Sequence, residues 1–293
     1  MKNDRINHKY LPGVKLLKNV KVCEDLQTAI KGTDIITMCI PSSVMRTMCN
    51  RIKPFVSRRQ VIVNISKGIE DSTLMLMSQV ITDVLGEKNA IVTVSGPMIA
   101  SELAREIPTA VAVAGTHDVG VDLVHRTFTN DFFRMYKNVD LVGVELGGSL
   151  KNIIAIAAGI SDGLGYGSNT KSALITRGLA EITHLGVCMG GRPLTFSGLS
   201  GLGDLYTTCT SPYSRNRRLG ELIGKGRSLE SAQKQVAQVA EGLFAVKVGY
   251  LLGKRYQIDL PITNILYRIL YEGKRNLRKE MSGFMRGFNE IHF

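Results

Sequence analysis

Residues 153–160 constrain the fold of this chain more than any other segment, because they read IIAIAAGI and offer no polar face. A helix that is apolar on all sides is normally buried on all sides. Lys151 stands just before this run, so the pattern places an amine at the edge of the protein interior. Burial lowers the pKa of an amine, and an amine that titrates near neutrality can move protons at a substrate oxygen. The alternative is a lysine that snorkels to the surface from a helix end.

The chain divides into two halves with different patterns. In the first half, short apolar runs rich in β-branched residues alternate with helical patterns, which indicates a parallel sheet with both faces covered. The apolar runs are residues 34–40, 60–65, 90–94, 109–114 and 133–136, and the helical patterns are residues 24–31, 44–52 and 73–85. In the second half, helical patterns cover residues 145–160, 168–188, 216–224, 228–251 and 261–272, with glycine-rich loops between them. We predict an α/β domain over residues 1–143 and an all-α domain over residues 144–293.

The composition narrows the class of protein. Hydrophobic residues make up 44% of the 293 residues and charged residues 21%, which is typical of a globular protein and argues against disorder. No uncharged apolar run reaches the ~18 residues of a membrane span, and the first residues lack the apolar segment of a signal peptide. Five scattered cysteines without C-x-x-C spacing, and five histidines without metal-ligand spacing, predict reduced thiols in a cytoplasmic protein and no metal site.

The net charge of +12 raises the question of nucleic-acid binding. The basic residues are spread along the chain, with small clusters at 215–218 and 274–279, and no zinc-finger spacing or RNA-binding aromatic signature accompanies them. A positive field also attracts small phosphorylated anions. We therefore expect a phosphorylated small molecule as the partner, and no specific binding of nucleic acid.

Small and polar residues follow three of the predicted strands, where an open parallel sheet binds its ligands. The segments are residues 40–42 (IPS), 64–68 (NISKG) and 95–97 (SGP). Each alone is also typical of an ordinary loop, but three together favour a cleft for a nucleotide and a substrate. The strand, G-x-G-x-x-G turn and helix that usually announce dinucleotide binding are absent, because the glycines at 163–167 and 198–203 fall in the helical half.

Three stretches of the helical half combine charged and hydroxyl side chains. Asp204 stands among small apolar residues. The pattern predicts either a carboxylate that orients a neighbouring lysine or a carboxylate that caps a helix. Ser214 has the character of an N-cap, and with Arg215 it predicts either a phosphate site at a helix start or a solvated basic helix end. Glu241 lies in the sequence VAEG, which indicates either a helix break over the cleft or a surface turn.

Taken in order, these segments resemble the bacterial NAD(P)-dependent glycerol-3-phosphate dehydrogenases. The match extends from residue 8 to residue 274 and includes residues 64–68, 95–97, 144–152, 174–181, 201–205 and 214–216. The resemblance implies an incomplete Rossmann-type parallel sheet domain followed by a helical substrate domain. It also implies reversible hydride transfer between NAD or NADP and dihydroxyacetone phosphate, which gives sn-glycerol 3-phosphate for phospholipid synthesis, and a homodimer.

The resemblance further implies roles for individual residues. Lys151 matches the catalytic proton donor and acceptor of the family, and Met98 stands where relatives usually carry serine. The residues that match substrate contacts are Lys67, Gly96, Met98, Lys151, Asn152, Asp204, Thr208, Ser214, Arg215 and Asn216. The residues that match cofactor contacts are Lys67, Ala100, Arg215, Val239 and Glu241.

The chain departs from the family at its start. It begins after the point where relatives carry the first strand, the glycine turn, the first helix and the second strand, on the order of 30–40 residues. We expect a mis-set start or a truncated reading frame. Without these elements we expect weaker cofactor binding and impaired folding. Two alternatives remain at this stage: an inactive remnant that binds other subunits, and a relative of the 6-phosphogluconate and β-hydroxyacid dehydrogenases. The sequence does not distinguish NAD from NADP, because the discriminating residue belongs to that second strand.

Overall fold

The computed structural model describes residues 4–236, 241–274 and 276–286. A two-stranded antiparallel hairpin, β1 (Ile6–Asn7) and β2 (Leu11–Lys15), comes first. A five-stranded sheet follows, and its strands are β3 (Ile35–Met38), β4 (Val61–Asn64), β5 (Ile91–Ser95), β6 (Thr109–Gly115) and β7 (Phe133–Lys137). All five correspond to the predicted apolar runs, whereas the hairpin has no counterpart among them.

The strands of the large sheet lie side by side in their chain order, from β3 to β7. Three of the four neighbouring pairs are parallel, but β5 and β6 are antiparallel, with Thr93 opposite Ala114. The predicted parallel sheet is therefore confirmed except at this one pair. An apolar run shows that a strand is buried on both faces, but it does not show the direction in which the strand crosses the sheet.

Helices cover both faces of the sheet. In the first half these are α1 (Leu26–Ile30), α2 (Met45–Ile52), α3 (Met77–Leu85), α4 (Ala100–Leu103) and α5 (Asp118–Phe128). Side chains alternate along β4, so Ile62 joins the apolar core under α2 and α3, while Val61 and Val63 join the core under α5. This two-sided burial explains why the strands read as nearly continuous apolar runs.

One predicted helix begins later than its pattern suggests. The pattern starts at residue 73, but α3 begins at Met77. Leu76 is extended and forms an isolated antiparallel bridge with Ile69. This pairing stabilises a turn after β4 and leaves residues 73–76 outside the helix.

The second half of the chain is helical. Its helices are α6 (Leu141–Gly163), α7 (Ser168–Cys188), α8 (Pro193–Phe196), α9 (Asp204–Thr210), α10 (Arg215–Gly224), α11 (Leu229–Val236), α12 (Glu241–Tyr256), α13 (Pro261–Tyr271) and α14 (Leu277–Arg286). A single π-helical turn, Leu199–Gly203, leads into α9. The pattern at 228–251 corresponds to α11 and α12, and residues 237–240 lie outside the described part of the chain.

Helix α6 forms the centre of the helical half. Every residue from Gly143 to Ser161 is buried, and Asp140 caps the helix by accepting a hydrogen bond from the Gly143 amide at 2.8 Å. By length and composition α6 qualifies as a candidate membrane span, but 89% of its most apolar window is buried inside the protein. Such burial is typical of a core helix.

Helices α6 and α10 pack backbone against backbone. A β-carbon placed on Gly220 would lie 2.1 Å from the carbonyl oxygen of Ile156, and one on Gly159 would lie 1.9 Å from that of Arg217. Neither position has room for a side chain, so glycine is required for this close approach. Because Arg215 begins α10, this packing also fixes how near the start of α10 comes to α6.

We predict that Gly220→Ala lowers the free energy of unfolding by about 1–3 kcal/mol, because the added methyl overpacks a backbone contact. This is the net change, because the backbone clash should outweigh the gain of about 1 kcal/mol that alanine has over glycine inside a helix. Urea unfolding of the variant and the parent measures the change. Gly167→Ala is the control, since a β-carbon there would meet nothing within 4 Å. Equal stabilities for Gly220→Ala and the parent would contradict the close packing.

Candidate active site

Lys67 follows the carboxyl end of β4 in a turn that side chains hold in place. The Asn64 side-chain oxygen accepts a hydrogen bond from the Ser66 amide at 3.0 Å, and the Ser66 hydroxyl donates to the Ile40 carbonyl at 2.5 Å. Lys67 Nζ then donates to the carbonyl of Gly96 at 2.8 Å. The ends of β3, β4 and β5 therefore meet at this lysine, as parallel strand ends do in an open sheet.

Lys151 lies on α6 and points into the protein. Only 8% of its side chain is exposed, so it does not snorkel to the surface. Its Nζ donates to Asp204 Oδ1 at 2.5 Å and to the Thr208 hydroxyl at 2.5 Å. The Thr208 hydroxyl donates in turn to the Asp204 carbonyl at 2.7 Å, one turn earlier in α9.

Asp204 reaches both lysines because of the turn that precedes it. The π-helical turn packs tightly on its neighbours, since a β-carbon on Gly201 would lie 2.0 Å from the Phe196 carbonyl oxygen. Asp204 is the first residue of α9, and Gly203 occupies the N-cap position. The Asp204 carboxylate accepts from Lys67 at 2.5 Å through Oδ2, in addition to its bond with Lys151. One carboxylate thus joins two ammonium groups.

The electrostatics of this pair favour proton transfer. Burial lowers the pKa of Lys151 to about 8, and the positive charge of Lys67 acts in the same direction, while Asp204 opposes both. An amine with this pKa is mostly protonated at neutral pH and still gives up its proton readily. Burial also raises the pKa of the Cys209 thiol to about 12, so the neighbouring cysteine is not a thiolate nucleophile.

The start of α10 borders the same site. Ser214 caps the helix and accepts a hydrogen bond from the Arg217 amide at 3.2 Å, and the exposed Arg215 is the first helical residue. Buried Asn216 donates to the Asn152 side-chain oxygen at 2.8 Å and accepts from the Gly242 amide at 3.1 Å. These amide contacts hold α10, α6 and α12 together next to Lys151.

Glu241, at the start of α12, closes a cleft toward the sheet. Its carboxylate accepts from the Ser42 amide at 3.3 Å. Burial raises the pKa of Glu241, whereas the Ser42 bond and the charges of Arg215 and Lys67 lower it. The cleft is lined by Ser42, Lys67, Gly68, Ile69, Ser149, Leu150, Glu241, Phe244 and Ala245. A β-carbon on Gly68 would lie 2.3 Å from Ser42 Oγ, so a side chain there would not fit.

The other candidate residues are located as follows. Met98 packs against the apolar core on the α5 side of the sheet, and Ala100 is exposed at the first position of α4. Val239 lies outside the described residues. Within the described ranges, no group of three or more His, Cys, Asp or Glu side chains is arranged to hold a metal ion.

The structure also shows polar residues that the sequence patterns did not single out. Buried Glu145 lies on α6 and contacts the sheet domain through Asn64. Asp162 at the end of α6 forms ion pairs with Lys171 and Arg217, both at 2.7 Å. The sequence did carry a signal for them, namely acidic residues in a mostly apolar helix. Such residues are costly to bury without partners, so their presence indicates partners elsewhere in the protein.

Comparison with known proteins agrees with this arrangement. The model for the N-terminus of NAD-dependent glycerol-3-phosphate dehydrogenase matches residues 1–119, and the model for its C-terminus matches residues 140–279. Glycerol-3-phosphate dehydrogenase [NAD(P)+] of Syntrophomonas wolfei is 46% identical over 98% of this chain and 84% of its own length. The enzyme of the same name from Thermoanaerobacter is 50% identical over 92% of this chain and 81% of its own length.

A solved structure extends the likeness to three dimensions. The crystal structure of glycerol-3-phosphate dehydrogenase from Coxiella burnetii has a TM-score of 0.94 and 36% identity, and the match covers 97% of this chain and 87% of that one. Both halves and the order of the motifs thus follow one family along nearly the whole chain. This chain belongs to the NAD-dependent glycerol-3-phosphate dehydrogenase family.

Proposed function

We propose that this protein catalyses the reversible NAD(P)H-dependent reduction of dihydroxyacetone phosphate to sn-glycerol 3-phosphate. Two relatives that are 46% and 50% identical over most of this chain are named for this activity. The observation that carries the proposal is the convergence of Lys151 and Lys67 on buried Asp204, next to the cleft that Lys67 lines between the sheet and the helical half. A buried amine next to a cleft is the group that a carbonyl reduction needs as a proton donor.

In this proposal Lys151 is the catalytic acid and base. It donates a proton to the C2 carbonyl oxygen during reduction and accepts the hydroxyl proton during oxidation. Asp204 and Thr208 hold the amine, with both contacts at 2.5 Å. Lys67 adds a second positive charge, which favours charge developing on the oxygen. The nicotinamide, when bound, supplies or accepts the hydride.

The proposed phosphate site is the start of α10. Free amides at a helix N-terminus attract anions, and the Arg215 guanidinium is suited to bind a phosphate in a bidentate manner. Asn152 and Asn216 line the same region, and the remaining proposed substrate contacts are Lys67, Gly96, Met98, Lys151, Asp204, Thr208 and Ser214. Binding energy from the remote phosphate would then position C2 for the reaction.

The proposed cofactor contacts are Lys67, Ala100, Arg215, Val239 and Glu241. The cleft beside Ser42 and Gly68 supports this assignment, because the ends of adjacent strands meet there and Lys67 and Glu241 both line it. We further propose a division into domains at residues 1–143 and 144–293. The last strand ends at Lys137 and α6 begins at Leu141, in support of this boundary.

We also propose that the protein is a cytoplasmic homodimer that supplies glycerophospholipid synthesis. The family likeness, the buried α6 and, within the described residues, five cysteines outside any disulfide, three exposed and two buried, support this environment. Light scattering in solution measures the oligomeric state.

The test of the proposed function is turnover with defined substrates. We expect oxidation of NADH or NADPH by dihydroxyacetone phosphate and far weaker turnover with dihydroxyacetone, which lacks the phosphate. Lys151→Met should lower kcat by about 10²–10⁴-fold, the usual contribution of a general acid. Cofactor affinity, followed by nicotinamide fluorescence, should stay nearly unchanged. Retained turnover in Lys151→Met would remove the role assigned to this amine.

The pH dependence gives a second prediction. Lys151 must be protonated for reduction, so kcat/KM for reduction should fall as the pH rises past about 8, the pKa to which burial and Lys67 lower this amine. Oxidation requires the neutral amine and should rise through the same range. Lys67→Met removes a positive charge and should move both limbs to higher pH. Lys247→Met is the control, since Lys247 pairs with Asp71 at 2.7 Å outside the lysine pair. A limb that stays in place in Lys67→Met would contradict the coupling.

A further inference from the structure

Glu145 is a buried acidic residue that the proposed reaction does not use. It lies on α6 six residues before Lys151 and is 4% exposed. Its carboxylate accepts hydrogen bonds from the Ser78 amide at 3.0 Å, the Ser78 hydroxyl at 2.5 Å, the Asn64 side-chain amide at 3.2 Å and the Thr93 hydroxyl at 3.2 Å. The donors belong to α3, β4 and β5, so one side chain of the helical half binds three elements around the sheet.

All four of these donors are neutral. A carboxylate that is buried among neutral groups carries a desolvation cost, and the burial accordingly raises the pKa of Glu145. A leucine of similar size would avoid that cost but would leave the four donors without their acceptor. The hydrogen-bonding geometry of Glu145, rather than its burial alone, is therefore the feature that needs an explanation.

Asn64 connects Glu145 to the turn that carries Lys67. The Asn64 side-chain nitrogen donates to Glu145 and also to the Ser66 carbonyl at 3.3 Å, while its oxygen accepts from the Ser66 amide at 3.0 Å. Both ends of the amide are thus engaged, and its orientation is set by α6 on one side and by the turn on the other. Lys67 is the next residue after this turn.

Both lysines then meet at Asp204, which connects the turn to α6 a second time. Lys67 reaches Asp204 from the turn, and Lys151 reaches it from α6, about 9 Å along the helix from Glu145 at a rise of about 1.5 Å per residue. A helix is rigid over this length. Any slip between α6 and the end of β4 would therefore separate the two ammonium groups or pull one of them from Asp204.

We propose that Glu145 is a positioning residue, which ties the Lys67 turn to α6 so that Lys67 and Lys151 converge on Asp204. This inference rests on the proposed function, because it names a further residue that the same reaction needs. It assigns Glu145 no contact with substrate or cofactor.

Two substitutions separate the hydrogen bonds from the charge. Glu145→Leu removes the acceptor and leaves the donors of Asn64, Thr93 and Ser78 unpaired. Glu145→Gln removes the charge but can keep every contact, because its oxygen can accept three of the bonds while its NH₂ group donates to the Ser78 hydroxyl. If the geometry matters, glutamine should rescue what leucine loses.

Glu181 offers a matched control. It is a partly buried carboxylate on α7, and it accepts hydrogen bonds from the Ile262 amide at 2.8 Å, the Thr263 amide at 3.0 Å and the Thr263 hydroxyl at 2.5 Å at the start of α13. Glu181→Leu should therefore cost a similar amount of stability without touching the Lys67 turn. It measures what the loss of a carboxylate with several hydrogen bonds does to turnover by itself.

The experiment compares kcat, KM and unfolding midpoints of these variants, alone and in a Lys67→Met background. We expect Glu145→Leu to lower kcat at least tenfold, and Glu145→Gln and Glu181→Leu to stay within threefold of the parent. In the Lys67→Met background Glu145→Leu should add less than a threefold loss, because the lysine that it positions is already absent. The proposal would be overturned if Glu145→Leu lowered kcat by the same factor in the Lys67→Met background as in the parent. It would also be overturned if Glu181→Leu lowered kcat as much as Glu145→Leu does.

Amide hydrogen exchange supplies a readout that does not depend on turnover. Glu145→Leu should accelerate exchange in a peptide covering residues 65–69, whereas Glu145→Gln and Glu181→Leu should not. Unchanged exchange in Glu145→Leu would overturn the positioning role even if the enzyme is active. A parent protein without activity would instead refute the proposed function and leave the exchange result to decide the role of Glu145. If Glu145→Leu does not fold, Asn64→Ala cuts the same link from its other end and should give the same acceleration.

Discussion

The arrangement of this protein depends on one buried carboxylate that two ammonium groups share, the buried one of Lys151 and the partly exposed one of Lys67. Asp204 is 2% exposed, and each of its oxygens accepts a hydrogen bond of 2.5 Å from a different lysine. Charges in such a place are costly unless they are paired and hydrogen-bonded, and the loss of one partner leaves the other uncompensated. The helix, the strand end and the turn that supply these three side chains must therefore keep a fixed relation to one another.

Glycine contacts make that relation possible. The π-helical turn before Asp204 lies against α6, where a β-carbon on Gly147 would come within 2.7 Å of the Ser200 carbonyl oxygen. Gly159 and Gly220 similarly bring α10 against α6. These contacts place the polar side chains of α9 and α10 next to those that α6 itself carries, among them Lys151 and Asn152. Close backbone packing thus positions the elements that form the site. The chemistry of the site comes from a few charged side chains that these elements carry.

Local patterns in the sequence predicted much of the fold. The five strands, the burial of α6 and the N-cap at Ser214 follow from β-branched runs, an all-apolar helix and a serine before a helical pattern. The antiparallel direction of β6 and the late start of α3 did not follow, because each is set by backbone pairing with another segment, β5 for β6 and Ile69 for the residue before α3. A hydrophobic period indicates which face is buried but not what is packed against it.

The candidate site was likewise predictable only in part from local patterns. Lys151 and Asp204 stood out individually, since each is a charged residue in an apolar stretch. Their meeting with Lys67 was an expectation from family resemblance alone, because Lys67 and Asp204 are 137 residues apart in the chain. Glu145 and Asp162 were not singled out, since an acidic residue in a helix usually lies on its exposed face. Only the structure shows the partners that make these charges tolerable inside the protein.

The state of the Lys151 amine is the most direct measure of this account. Lysine side chains labelled with ¹³C and ¹⁵N can be titrated by NMR in the folded protein, and the signal of Lys151 is identified by its loss in Lys151→Met. Burial and the nearby Lys67 charge predict that this amine titrates near pH 8. Titration at about 10.4, the value of an exposed lysine, would show that the amine is solvated and would contradict the account.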